Sequence, residues 1–230
     1  MDGLLLIDKP LNWTSFDVVN KVKSLIATQS GLSRKSLKVG HAGTLDPLAS
    51  GLLLVVVGST CKQAGRLAKL PKTYRAEIKL GFTTKTDDAE GEKQPVSDKK
   101  PDKALVDTAL RAFLGPQWQK PPIFSAVKIG GQRAYKLARR GISPAIKTKM
   151  VEIKSIKLIS YTYPLITLEC DVSSGTYIRS LARDLGQKLG CGAYLSGLRR
   201  LSVGQYLISA AVTLEQLDKG GVQANLSNLE

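Results

Sequence analysis

Six consecutive aliphatic residues, Leu52 to Val57 (L-L-L-V-V-V), leave this chain few options. The run is too short to cross a bilayer, and without alternating polar positions it reads as a strand buried on both faces. Such a strand needs cover on two sides, and 230 residues can supply it as one large domain or two small ones. The run is preceded by V-G-H-A-G-T-L-D-P-L-A-S-G, which carries the only histidine, His41, and a solitary acid, Asp46. Between Val18 and Ala76, Asp46 is the only carboxylate against ten lysines and arginines. Nearby positive charge favours the ionised carboxylate. On a loop shaped by Gly40, Gly43, Pro47 and Gly51, such a group suits a nucleophile. The plainer reading is an aspartate at the first position of a turn before proline. The local pattern leaves both open.

Thirty-four Lys and Arg against nineteen Asp and Glu give a net charge of +15, the footprint of a polyanion binder, with nucleic acid the first candidate. Cys61, Cys170 and Cys191 are scattered and form no C-x-x-C, which points to a reducing compartment rather than a disulfide framework. With one histidine, zinc ligands are too few. Met1 to Asp8 lacks the character of a signal peptide, and no apolar run approaches transmembrane length. A cytoplasmic protein with no metal, no cofactor and no membrane partner is expected.

Along the chain, Gly3 to Ile7 reads as a buried strand, and Ser15 as the N-cap of a helix to about Ile26 with Val18, Val19, Val22, Leu25 and Ile26 inward. Thr60 is placed as the cap of a helix stopped by Pro71. Thr73 to Leu80 alternates, with Tyr74, Ala76, Ile78 and Leu80 on one face. The acids Asp87, Asp88, Glu90 and Glu92 do not follow a calcium-loop pattern and read as a solvated loop. Pro101 to Leu114 predicts an amphipathic helix with Gly115 as its C-terminal stop. From Gln119 to Lys149 there are eight basic residues and no acid, as in a segment that tracks a phosphate backbone. Strands are expected at 151–161, 165–172 and 203–208. Between them lies a helix opened by S-G-T-Y-I-R, with Ile178, Leu181, Ala182, Leu185 and Leu189 inward. Arg179 sits at the edge of that stripe, turned either to a site or to solvent. Thr213 to Gln216 has the form of a capping box.

The motifs in combination go further. G-H-A-G-T-L-D-P-L-A-S-G-L-L resembles the signature of the TruB family of tRNA pseudouridine-55 synthases. L-L-L-I-D-K-P, K-T-Y-R, L-G-F-T-T-K-T-D-D-A-E-G, P-P-I-F-S-A-V-K, S-S-G-T-Y-I-R-S-L-A-R-D-L-G and C-G-A-Y-L-S-G-L-R-R-L resemble its other segments, in the same order. The resemblance implies an α+β pseudouridine-synthase fold: a long, bent, mixed but mostly antiparallel sheet flanked by helices, with a basic RNA-clamping insertion at about 119–149. It implies a catalytic domain over 1–215 and a short tail over 216–230, without a full C-terminal RNA-binding domain. By the same resemblance Asp46 is the nucleophile, Tyr74 stacks on the target base and acts as the base, and Arg179 pairs with the nucleophile. Tyr177 and Leu198 line the pocket of the flipped nucleotide, His41 contacts the RNA, and Lys9 with Pro10 supports the floor of the site. The partner implied is the tRNA T-arm stem-loop, met by a monomer. Two other classes compete: a non-catalytic RNA-binding or RNA-folding module, carried by the charge, and a divalent-cation-dependent nuclease using Asp87 and Asp88.

Overall fold

The computed structural model describes residues 1–125, 127–142 and 145–228. Ala126, Ser143 and Pro144 of the basic segment, and Leu229 and Glu230 of the tail, lie outside the described residues. The first half of the chain runs β1 (Gly3–Lys9), α1 (Ser15–Ser30), β2 (Val39–His41), β3 (Ala49–Val57), α2 (Ala64–Ala68), β4 (Lys72–Leu80), β5 (Phe82–Thr84), β6 (Lys93–Pro95) and α3 (Lys103–Arg111). It continues through β7 (Gly115–Gln119), β8 (Lys128–Ile129), β9 (Gln132–Arg133), α4 (Ala134–Arg139), β10 (Lys149–Thr162), β11 (Leu165–Val172), α5 (Ile178–Leu189), β12 (Ala193–Val203), β13 (Tyr206–Leu207) and α6 (Leu214–Gly220). These form two compact units, residues 1–74 with 198–230, and residues 75–197; β4 and β12 each contribute to both.

In the first unit β3 is the axis. Eight of its nine positions are buried, as an unbroken apolar run requires. β1 pairs with it antiparallel, from Gly3 opposite Val57 to Lys9 opposite Gly51, and β12 pairs parallel, with Leu198 opposite Ala49. The sheet is therefore mixed. Leu52, Leu54 and Val56 pack with Leu4, Ala42, Leu67 and Val203 into one core cluster. α1 buries the five expected residues, but its N-cap is Thr14, one residue before the expected Ser15. The Thr14 hydroxyl takes the Asp17 N–H while Asp17 takes the Thr14 N–H, a reciprocal box that leaves Ser15 free for another use. Thr60 caps nothing: it lies in a 3-10 turn, Gly58–Gln63, that precedes α2.

In the second unit the strands are ordered β4-β11-β10-β7, with β10 antiparallel to both its neighbours. The alternation of β4 is as the sequence predicts, with Ala76, Ile78 and Leu80 fully buried. α3 is shorter than expected because Asp102 caps it by accepting the Leu105 N–H, and Gly115 opens β7 instead of closing the helix. The strand expected at 203–208 is the end of the eleven-residue β12 together with β13, separated by a turn at Gly204 with φ 55. Seven of the eight basic residues between 119 and 149 are exposed, Lys149 being the exception. Among the described residues no helix is long and apolar enough to cross a membrane.

Candidate active site

In the first unit the site is built on the loop between β2 and β3. The Asp46 carbonyl accepts the Ala49 N–H at 3.0 Å, so Asp46 does open a turn with Pro47 at its second position, as the plainer reading held. That turn is fastened from three directions. Ser15, released from capping, donates its hydroxyl to the Leu45 carbonyl (3.0 Å) and accepts the Leu45 N–H (2.8 Å). The Asn12 N–H bonds the Pro47 carbonyl at 2.9 Å. Arg200, only 1% exposed, holds both ends of the loop: Nε donates to the Leu52 carbonyl at 2.7 Å and Nη2 to the Gly43 carbonyl at 3.2 Å. Gly51 is required at the base of this clamp. With φ 100, a Cβ there would lie 2.4 Å from the Arg200 carbonyl oxygen.

Lys9 lies beneath the turn with no exposed surface, its ammonium on the carbonyls of Pro10 (2.8 Å) and Trp13 (2.6 Å). Burial pushes its pKa down to about 8, with Asp46 pulling it back up and Arg200 lowering it further. Lys72, two residues before Tyr74 on the same buried face of β4, is held by the carbonyls of Ala68 and Leu70, and burial lowers it to about 8 as well. Tyr74 is 8% exposed. Next to it on β4, Thr73 is bonded to Ser202 of β12 at 2.7 Å. Leu198 is half-buried and stands opposite Ala49, at the foot of the Asp46 turn. His41, on β2, stands opposite Val55; burial, then Arg200, lowers its pKa and so favours the neutral imidazole. Its Nδ1 is buried with no hydrogen-bond partner among the described residues.

In the second unit Arg179 is 7% exposed, which corrects the solvent-facing alternative. Its Nη1 pairs with Asp88 at 3.2 Å and reaches the Thr86 carbonyl at 3.3 Å, and Nη2 donates to the Phe124 carbonyl at 2.9 Å. Asp88, 3% exposed, is itself fixed by the Thr86 hydroxyl (2.6 Å) and the Glu90 N–H (3.1 Å). Beside it Asp87, with φ 61, pairs with Arg183 at 2.9 Å; burial raises the Asp87 carboxyl and Arg183 opposes that rise. The solvated-loop reading of this segment is therefore wrong for Asp87 and Asp88, and right for the exposed Glu90 and Glu92. Two arginines of α5, far along the chain, claim both aspartates. Tyr177 is set by Gln119, whose side chain accepts the Tyr177 N–H (2.8 Å) and donates to its carbonyl (3.1 Å), while the Lys149 ammonium lies 4.6 Å from the ring centroid.

Comparison with known proteins decides the family. Residues 30–178 match the model described as TruB family pseudouridylate synthase (N terminal domain), and residues 179–226 match the tRNA pseudouridylate synthase B C-terminal domain. The chain belongs to the TruB family. A TruB-family relative named tRNA pseudouridine synthase B in Thermobifida fusca (strain YX) is 43% identical over 228 residues, 94% of this chain and 74% of that protein. The protein of the same name in Parabacteroides distasonis is 42% identical over 216 residues, 94% of this chain and 91% of its own. Among solved structures, a chain in a Cbf5-Nop10-Gar1 complex is 26% identical with a TM-score of 0.71, covering 94% of this chain and 54% of that one. A chain of an H/ACA RNP bound to a substrate RNA containing 2'-deoxyuridine has a TM-score of 0.69 at 24% identity and shares the fold. The chain spans about half the length of those two solved chains. The expected α+β pseudouridine-synthase fold is thus the one found, and the TruB signature coincides with the clamped loop.

Sequence reasoning missed Arg200, Lys72 and Asp88. Arg200 stands in L-R-R-L, where two adjacent arginines look like surface charge. Its period-two relation to Leu198 on a strand was the available signal.

Proposed function

We propose that this protein converts uridine-55 in the T-loop of tRNA to pseudouridine, by base flipping and covalent catalysis with Asp46 as nucleophile. One observation carries the reading: the TruB signature puts its carboxylate on a turn anchored by Ser15, Asn12 and Arg200. A nucleophile needs that fixity, because misplacement by about 1 Å can cost about a hundredfold in rate.

The target uridine leaves its stack and enters the site, where Tyr74 receives its face. Asp46 attacks the nucleotide, and the C1′–N1 bond breaks. The detached uracil turns, and a bond forms between C1′ and C5. The C5 proton leaves to Tyr74 as base, N1 takes up a proton, and the ester to Asp46 is released. Atoms and electrons balance within the nucleotide, so no oxidant or reductant enters. By the family resemblance Arg179 serves as the guanidinium partner of the nucleophile; its ion pair with Asp88 at 3.2 Å makes Asp88 a positioning residue. The exposed basic residues between 119 and 149 hold the T-arm backbone, and tRNA binding weakens steeply with salt.

The test uses unmodified tRNA with carbodiimide-based detection of pseudouridine. Wild-type protein is expected to modify position 55. Asp46→Asn is expected to make no product while binding the tRNA with near-normal affinity. Wild-type protein that binds tRNA and leaves position 55 unmodified would refute the reading. Retention of full activity in Asp46→Asn would refute the nucleophile.

A further inference from the structure

The segment from Pro10 to Thr14 is exposed at every position, although it carries Leu11 and Trp13, and Phe16 follows on the first turn of α1. Leu11, Trp13 and Phe16 are 55%, 37% and 65% exposed. Scattered surface apolar residues are ordinary, but three exposed ones within six positions concentrate apolar surface on one short segment, which calls for an occupant. The patch is also held still. Lys9 gathers the carbonyls of Pro10 and Trp13, and the capping box locks Thr14 to Asp17. Asn12 adopts φ 65, an uncommon conformation outside glycine, and its N–H is tied to the Pro47 carbonyl. The exposed segment is thereby fastened directly to the turn that presents Asp46.

Charge selects the occupant. Asp8 is engaged by Arg199 at 2.6 Å and Asp17 by the capping box, and Asp46 is the only carboxylate from Val18 to Ala76. A second copy of this chain would bring +15 against +15, whereas a nucleic acid brings the opposite sign. We propose that Leu11, Trp13 and Phe16 form a stacking platform for unstacked RNA bases that flank the nucleotide delivered to Asp46. The proposal rests on the RNA-modifying function above. A nucleotide that leaves its loop deprives its neighbours of a stacking partner. Aromatic faces accept any base, and a surface that is already rigid loses little entropy in doing so.

The chain has two tryptophans, Trp13 and Trp118, so a Trp118→Phe background leaves Trp13 as the sole indole reporter. Titration with an unmodified T-arm hairpin RNA is expected to quench Trp13 emission. A fully paired duplex of equal charge is expected to quench it far less. In kinetic assays on tRNA, Trp13→Ala is expected to raise KM about tenfold and Phe16→Ala about threefold, with kcat within about twofold of wild type. Unchanged emission at RNA concentrations that saturate anisotropy binding, with unmoved KM in both variants, would overturn the platform. A concentration-dependent dimer lost in Trp13→Ala would also overturn it and assign the patch to a second copy. Quenching of Trp13 by the hairpin in the Trp118→Phe background, with wild-type protein that makes no pseudouridine, would keep the platform and sink the enzymatic reading.

Discussion

The two units bury cations by different means. In the first, Lys9, Lys72 and Arg200 are at most 6% exposed and spend their hydrogen bonds on main-chain carbonyls. In the second, Arg179 and Arg183 are matched by the carboxylates of Asp88 and Asp87. A carbonyl satisfies a donor but leaves the charge standing, whereas a carboxylate cancels it. Burial is the main cause that lowers Lys9, His41 and Lys72 in the first arrangement, and the Arg200 charge lowers each of them further. The second arrangement contributes geometry with little net field. One region is built to favour an anion, the other to aim an arginine.

That contrast can be broken most forcefully in the second unit. Asp88→Ala removes the carboxylate that pairs at 3.2 Å with a buried arginine, and urea denaturation is expected to show a loss of about 3–5 kcal/mol. The double variant Asp88→Leu with Arg179→Met is expected to lose less than the sum of its parts. In the first unit Gly51→Ala forces a Cβ against the Arg200 backbone at a positive φ, with an expected cost of about 3 kcal/mol and a fall in kcat as the Asp46 loop shifts. Arg200→Met strands two carbonyls but no carboxylate, so its cost is expected near 2 kcal/mol. Arg200→Lys is expected to regain part of that loss, and kcat is expected to fall more than KM rises. An Arg200→Met penalty as large as that of Asp88→Ala would erase the distinction between the two modes.

The smallest effect is a pH slope. Lys9 and Lys72 have folded pKa values near 8, below the ordinary 10.5, so between those limits the unfolded chain binds more protons than the folded one. Stability contributed by these two groups therefore rises as pH climbs through that window and is flat below it. Denaturation midpoints at pH 7 and pH 9.5, compared with Lys9→Met and Lys72→Met, are expected to show the slope weakened in each variant.

What could be read from the sequence follows the range of the interaction. The alternation of β4, the apolar run of β3, the stripe of α5 and the Thr213 capping box are local and were legible. The Asp46 turn was legible too, since Pro47 and the flanking glycines act within a few residues. Asp88 and Arg179 lie 91 positions apart, and nothing around either one announces the other. A cluster of four acids looks solvated until the arginines that claim two of them are placed. Arg200 and Leu52 lie 148 positions apart, and that bond exists only because β12 runs parallel to β3. Periodicity reports which face of an element is buried. It does not report which distant element covers that face, and the buried ions of both units depend on that second fact.

The parallel register of Leu198 with Ala49 bears on how the protein is made. Synthesis proceeds from the N-terminus, so Asp46 leaves the ribosome about 150 residues ahead of the arginine that holds its loop. Until β12 is threaded beside β3, the turn has Ser15 and Asn12 but lacks the clamp at Gly43 and Leu52. A half-made chain thus carries Asp46 on a loop that is not yet set, and the closing strand of the core completes it.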